Sequence, residues 1–536
     1  MIATLKCRIK PYIQPFERKL ALAELASLTQ SFLQPNRSDA DDVEFEVRSD
    51  LPADVLAHKL AYWEYVSDGR LHITSQALRE ATVNVVRNGI PLEKLRTLVP
   101  FTEDSIPLPN RRCLRYGVHG IHEYRGKFFP QLVRSLFNIA GVPSGGVVAD
   151  PMAGSGTTLA EAVLGAYHGI GLDMNPLSVL MTRTKCSLLT TEPADLEAAY
   201  EEARRWLLGA TPVRASLRLP YFSSLPDEDQ KYLKDWFSEQ VLADLDQIAQ
   251  VIHWGEDGPI RDLMRLSLSN IIRHVSWQKD DDLRVRKEIR TDADIDPIKE
   301  FLDELGSSVR TVLAFLYQIK EAGLGTFEIE DGNACLMDVL WEQWQGKVDA
   351  IITSPPYATA LPYLDTDRLS LCYLGLLPRP EHRKRDLQMI GNREITEKQR
   401  RIQWQYFQDN KNLLPVSASN FVEKVHHLNS TTEVGFRRKN LPTLLTKYFF
   451  DMRDVFVGMA YILKPGAPAY VVVGNNHTIA GGERVEIETA SLLVDIAHTV
   501  GLVAEQHIPM EMLVSRDIFR KNAVASEVIL SFRRPS

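Results

Sequence analysis

Between residues 147 and 173 the chain reads Val-Val-Ala-Asp150, then Pro151-Met152-Ala153-Gly154-Ser155-Gly156-Thr157-Thr158, a helical stretch from Leu159 to Leu164, and Gly169-Ile170-Gly171-Leu172-Asp173. Two short apolar runs, each closed by an acid, enclose a glycine-rich loop and a helix. Strand, glycine loop, helix, strand is the opening of a parallel sheet. Such a sheet dictates an α/β fold, with ligands bound at the carboxyl ends of its strands.

The rest of the chain is read around that unit. Residues 131–140 have helical spacing and lead into it through the turn 141–146. Strand signal then stops, and 187–325 reads as helical, with Leu233, Trp236, Phe237, Val241, Leu242, Leu245, Ile248 and Ile252 on one stripe. Strands resume at 326–330 and 348–352, and later at 470–473 and 528–532, with helices expected over 448–463 and 490–500. The expected organisation is an accessory region 1–110, one α/β domain built from 111–186 plus 326–536, a helical insertion 187–325, and a basic insertion 358–445. Within 1–110, residues 21–28 and 53–65 read as helices and 43–47 as a strand.

Composition excludes several classes. Among 536 residues, 62 Lys and Arg face 70 Asp and Glu, a net charge of −8, and the hydrophobic set is 44%. That supports large cores and excludes global disorder. No apolar run reaches 18 residues and the first residues lack a signal-peptide core, so a cytoplasmic protein is expected. The five cysteines are far apart without metal spacing, so no metal is expected. On a net acidic chain, any nucleic-acid face must be a local basic patch.

Two motifs carry chemistry. In the 150–157 loop, Gly154 and Gly156 let backbone N–H groups approach a polar ligand at a helix N-terminus. No Gly-Lys-Ser/Thr closes the loop, so it is not a P-loop. Leu159 stands where a dinucleotide fingerprint has its third glycine, which disfavours a nicotinamide dehydrogenase. Asp173 stands where an acid accepts hydrogen bonds from ribose hydroxyls; a cap for the helix from Pro176 is its other reading. Thr353-Ser354-Pro355-Pro356-Tyr357 ends a predicted strand of the same sheet. Its prolines remove donors and stiffen the chain, leaving carbonyl acceptors beside a hydroxyl and an aromatic face. That combination suits a planar ring bearing an exocyclic amine.

Together these motifs strongly resemble the S-adenosylmethionine-dependent DNA amino-methyltransferases, especially the N4-cytosine type. The resemblance covers about 111–186 and 326–536. It implies a Rossmann-like class I methyltransferase sheet, S-adenosylmethionine as cofactor, and direct methyl transfer to a base flipped out of double-stranded DNA. It assigns the cofactor to Tyr124 and Lys127 in the His122–Pro130 segment, and to Asp150, Met152, Ala153, Gly154, Ser155, Gly156, Thr157, Asp173 and Met174. It adds Asn333, which stands where the family usually has an aspartate. It assigns catalysis to Ser354, Pro355, Pro356 and Tyr357. The glycine loop precedes the Ser-Pro-Pro-Tyr segment, the reverse of many cytosine-N4 enzymes.

For phosphate contact the stretch 379–401 ranks first, with Arg383, Lys384, Arg385, Arg400 and Arg401; 273–290 and 437–439 are the other basic stretches. Cytosine N4 is the expected target, with adenine N6 as the alternative. An RNA amino-methyltransferase acting on a tRNA guanine or adenine is a second alternative, and a non-catalytic module binding cofactor and nucleic acid is a third. A cognate restriction or defence nuclease and a nucleoid location go with the first reading.

Overall fold

The structure is a computed structural model; it describes residues 2–29, 43–87, 89–102, 105–124, 126, 128–209, 219–279, 286–289, 295–319, 323–358, 363–511 and 526–536. Lys127 lies outside them.

Four strands form an antiparallel N-terminal sheet: β1 (Ala3–Ile9), β2 (Glu44–Ser49), β3 (Trp63–Ser67) and β4 (Leu71–Ile73), in the order β2-β1-β3-β4. The helix expected over 53–65 stops at Lys59, because Tyr65 and Val66 pair with β1 instead. Their aromatic and β-branched side chains fit a pleated surface better than a helix.

The main sheet holds β5 (Val147–Asp150), β6 (His168–Asp173), β7 (Thr326–Asp331), β8 (Ala350–Thr353) and β9 (Pro468–Gly474). After the hairpin β10 (Asn476–Ala480) and β11 (Glu483–Ile487), it is completed by β12 (Val503–Glu511) and β13 (Ser526–Arg533). The order is β12-β13-β9-β8-β5-β6-β7. The five strands from β9 to β7 are mutually parallel, and β13 runs antiparallel to both its neighbours. The expected Rossmann-like α/β sheet is present. Hairpin β10–β11 and strand β12 are elements that the sequence pattern does not predict. The hairpin turns at Gly481 and Gly482, both at positive φ, and its short strands are more polar than apolar, which gives little apolar signal.

Alternation along the central strands shows why both faces are covered. Val148, Ile352, Val472 and Ile529 join a core with the Pro130–Ala140 helix and the N-terminal unit. Their neighbours Ala149, Ile351, Val471 and Leu530 join a second core under the Phe436–Ile462 and Thr489–Thr499 helices. The Pro130–Ala140 helix begins with proline at its first turn and ends at Gly141 in the left-handed region, so the chain returns directly into β5. A third core unites the Pro176–Leu188 helix with the helices of 193–319. Among the described residues no helix is long and apolar enough to cross a membrane.

Candidate active site

From β5 the chain winds through β6 to β7 on one side, then crosses back to place β8 and β9 on the other. The loops leaving β5 and β8 therefore diverge at a topological switch point, where open α/β sheets form a ligand crevice. The glycine loop follows β5 and the Ser-Pro-Pro-Tyr segment follows β8. The two are tied together: the Thr353 hydroxyl donates to Asp150 Oδ1 at 2.7 Å across the adjacent strand ends.

The glycine loop is stitched to the end of β6. Ala153 N donates to the Leu172 carbonyl at 2.9 Å, Gly154 N to Asp173 Oδ2 at 2.7 Å, and Gly156 N back to Ala153 at 2.8 Å. Both glycines hold positive φ, +51° and +74°. A Cβ on Gly154 would stand 3.0 Å from the Tyr124 ring, and one on Gly156 2.5 Å from Thr182 Oγ1. The loop is thus a cradle without room for side chains, with Tyr124 lying over it. Ser155 and Thr157 are buried, Met174 is buried below the rim, and Met152 is half-buried. S-adenosylmethionine, which needs a close approach to backbone beside an acceptor for its ribose hydroxyls, fits these residues.

Asp173 does more than its place at a strand end suggests. Its Oδ1 accepts from Asn175 N at 2.8 Å while Oδ2 holds Gly154. The helix cap is Asn175, whose side chain accepts from Leu177 N at 3.1 Å; the alternative reading of Asp173 as that cap is corrected. Each Asp173 oxygen keeps a lone pair for a ligand hydroxyl. Loss of hydration pushes its carboxyl up to about 7, with Asp150 and Asp331 adding like-charge repulsion. Burial likewise raises the Asp150 carboxyl to about 6. Asn333 caps the short turn after β7 by accepting from Cys335 N at 3.0 Å, which uses one of the two lone pairs of its amide oxygen.

On the other side of the crevice, three contacts fix the residues after β8. Ser354 Oγ donates to the Val472 carbonyl at 2.9 Å. The Tyr357 hydroxyl donates to Glu527 Oε1, and Asn476 Nδ2 donates to the Ala358 carbonyl at 2.5 Å. Because the Ser354 proton is committed to Val472, its remaining lone pair can only accept. Pro355 is buried, and Pro356 and Tyr357 are half-buried.

The basic residues divide. Arg383 and Lys384 are exposed on the Arg379–Gln388 helix. Arg385 forms a two-pronged pair with Asp331 at the end of β7, at 2.8 and 2.5 Å. A carboxylate thus occupies the fork that the sequence reading offers to phosphate. Arg400 is 3.3 Å from Asn440 Oδ1, and Arg401 is exposed beside Glu397.

Sequence reasoning missed Lys185, Glu527 and Asp367. Lys185 is fully buried and donates to the Ser155 carbonyl, bracing the glycine loop from the Pro176–Leu188 helix. Asp367 accepts from Asn175 Nδ2 at 2.8 Å. A lysine inside an otherwise buried helix face was the available signal for the first; the other two depend on pairings 170 and 192 residues away in sequence, which no local pattern encodes.

No family profile matches the chain. It is 23% identical over 435 residues to the Type II methyltransferase M.BsoBI of Geobacillus stearothermophilus, spanning 73% of this chain and 81% of that protein. It is 25% identical over 269 residues to the Type II methyltransferase M.MvaI of Kocuria varians, spanning 48% of this chain and 58% of that one. The solved rRNA methyltransferase aviRa from Streptomyces viridochromogenes superposes with a TM-score of 0.28 at 11% identity, over 77% of this chain and 89% of its own, too distant to carry an argument. The names of the sequence relatives agree with the resemblance read from the two motifs.

Proposed function

We propose that this chain, a relative of the Type II methyltransferases, transfers a methyl group from S-adenosylmethionine to the exocyclic amine of a base flipped out of duplex DNA, with cytosine N4 as the target. The observation that carries the reading is the meeting of a glycine cradle and an acceptor-only Ser354 across the hydrogen-bonded ends of β5 and β8.

Bound S-adenosylmethionine supplies an electrophilic methyl carbon on a sulfonium sulfur. The chain's own residues then do the rest. The close-walled cradle of 153–156 and the spare lone pairs of Asp173 hold the donor. Ser354 Oγ and the Pro355 carbonyl accept from the two amine hydrogens of the target. Those bonds pull the nitrogen lone pair out of the ring and aim it along the transfer line; as the nitrogen–carbon bond forms the donor's carbon–sulfur bond would break to a thioether, and the surplus amine proton would leave to solvent. Tyr357, its hydroxyl tied to Glu527, offers a ring face on which the extruded base stacks. The resemblance of the two motifs to the N4-cytosine type is the reason for favouring cytosine N4, and serine at 354 favours DNA over RNA. The Type II names of the relatives support a modification enzyme, and a cognate nuclease is the partner this reading carries with it.

The test is labelled methyl transfer to duplex DNA and to tRNA, followed by modification-sensitive sequencing of DNA from expressing cells. Labelled N4-methylcytosine in DNA is the expected product. N6-methyladenine would replace the base assignment alone. Methylated tRNA with unlabelled DNA would overturn the substrate.

A further inference from the structure

The Phe436–Ile462 helix is far longer than the strands it covers. Its lower end is fixed at the amino edge of the sheet, where Val348 N donates to the Ile462 carbonyl at 3.0 Å. By Asp451 it has reached the loop after β7, where Cys335 Sγ lies 3.5 Å from the Asp451 carbonyl. The fifteen residues 436–450 therefore run past the carboxyl rim. At 1.5 Å per residue they make up about 22 Å of helix.

This overhang stands beside the Ser-Pro-Pro-Tyr segment. Lys447 Nζ donates to the Met389 carbonyl at 3.0 Å, and two residues on, a Cβ at Gly391 would stand 3.0 Å from the Tyr357 carbonyl oxygen. The tip is built firmly. Pro442 lacks the N–H that would bond the Arg438 carbonyl, and Asn429 Nδ2 donates to that carbonyl instead at 2.8 Å. Asn429 Oδ1 in turn accepts from Gly481 N, at the turn of the β10–β11 hairpin, at 2.9 Å. Asn440 Nδ2 donates to the Ile395 carbonyl at 3.0 Å, and Arg400 reaches Asn440.

Two basic stretches far apart in sequence thus become one surface. Lys398, Arg400, Arg401, Arg437, Arg438 and Lys439 gather there against Glu394, Glu397 and Glu433. Arg437 lies 3.7 Å from Glu394 and Arg401 3.9 Å from Glu397, loose pairs in which the arginines keep 77% and 75% of their side chains exposed. On a chain of net charge −8 a local excess of three cations is a marked departure. Phosphate contact needs such a local patch of cations.

We propose that the overhanging turn 436–439, with Arg401, grips the phosphate backbone of duplex DNA flanking the flipped base. This rests on the function proposed above. The Arg379–Gln388 helix, pinned by Arg385 to Asp331, stays with the cofactor rim.

The experiment compares the full chain with its Arg437→Ala/Arg438→Ala/Lys439→Ala variant, using a labelled mixed-sequence duplex between about 0.05 and 0.2 M salt. The log–log salt slope of the variant is expected to be shallower by about 0.9 for each phosphate that is no longer neutralised, with affinity down about tenfold or more. S-adenosylmethionine affinity is expected to stay unchanged, which reports an intact fold. Normal methylation by the unaltered chain together with an unchanged slope in the variant overturns the surface and leaves the function standing. Absence of DNA methylation by the unaltered chain counts against the function itself. Tighter binding of tRNA than of duplex DNA through the same turn overturns DNA as the occupant.

Discussion

Ser354 does two things with one oxygen. It spends its proton on Val472 and keeps a lone pair for the target amine. Ser354→Ala therefore removes an amine acceptor and leaves the Val472 carbonyl unpaired. We expect kcat to fall by about 10²-fold with DNA affinity little changed, and stability to drop by about 1 kcal/mol; single-turnover kinetics and denaturant unfolding check both. An unchanged turnover would remove Ser354 from the reaction. Asp173 makes a pH prediction. An unfolded aspartate ionises near 4, whereas burial holds Asp173 protonated up to about 7. Between those values the folded state keeps a proton that the unfolded state has lost, so this group's contribution makes stability fall as pH rises through that window. Cofactor binding runs the other way, because the carboxylate is the better acceptor. The dissociation constant for S-adenosylmethionine should fall as pH rises toward about 7 and level off above it. Calorimetry at several pH values checks this, and Asp173→Asn should flatten the profile.

At the scale of the element, the loop between β5 and its helix depends on two backbones in the left-handed region. Gly156→Ala combines an unfavourable φ with a Cβ 2.5 Å from Thr182 Oγ1. Loss of more than about 1 kcal/mol of stability and of most cofactor affinity is expected, read by thermal unfolding and calorimetry. A second expectation concerns the Arg379–Gln388 helix. With its fork filled by Asp331, Arg385→Ala should leave the salt slope of DNA binding unchanged. A shallower slope would restore it as a phosphate contact. Elements of the central sheet were legible because period and punctuation agreed: Val147–Asp150 and His168–Asp173 are short, apolar and closed by acids. The roles of charged side chains were not. Nothing near Arg385 in sequence announces Asp331, 54 residues away, and nothing near Tyr357 announces Glu527. Run length and sign reveal a basic stretch; only the folded chain reveals which cations are already neutralised.

Over the whole molecule, a buried polar network joins the N-terminal unit to the rest. Lys10 donates to Glu80 at 2.7 Å with both side chains almost fully buried, and Gln131 of the Pro130–Ala140 helix donates to the same Glu80 oxygen at 2.9 Å. Nearby, Glu161 of the glycine-loop helix takes His119 at 2.8 Å, and the Arg134 guanidinium lies 3.7 Å away. Removing one member of a buried pair strands the other. Lys10→Met should cost about 3–5 kcal/mol, and adding Glu80→Gln should recover a large part of it; urea unfolding of both variants checks this. Residues 1–110 therefore belong to the stability of the sheet, a role their sequence did not disclose because each charge reads locally as a solvated one.

The tie between Thr353 and Asp150 has a consequence for how the chain can be altered. Donor grip and acceptor geometry are locked to one another inside the sheet, whereas Arg437, Arg438 and Lys439 stand exposed on its outskirts. Tuning how avidly the chain clings to its polymer should then need only a change of charge at those three positions, with the reaction centre untouched.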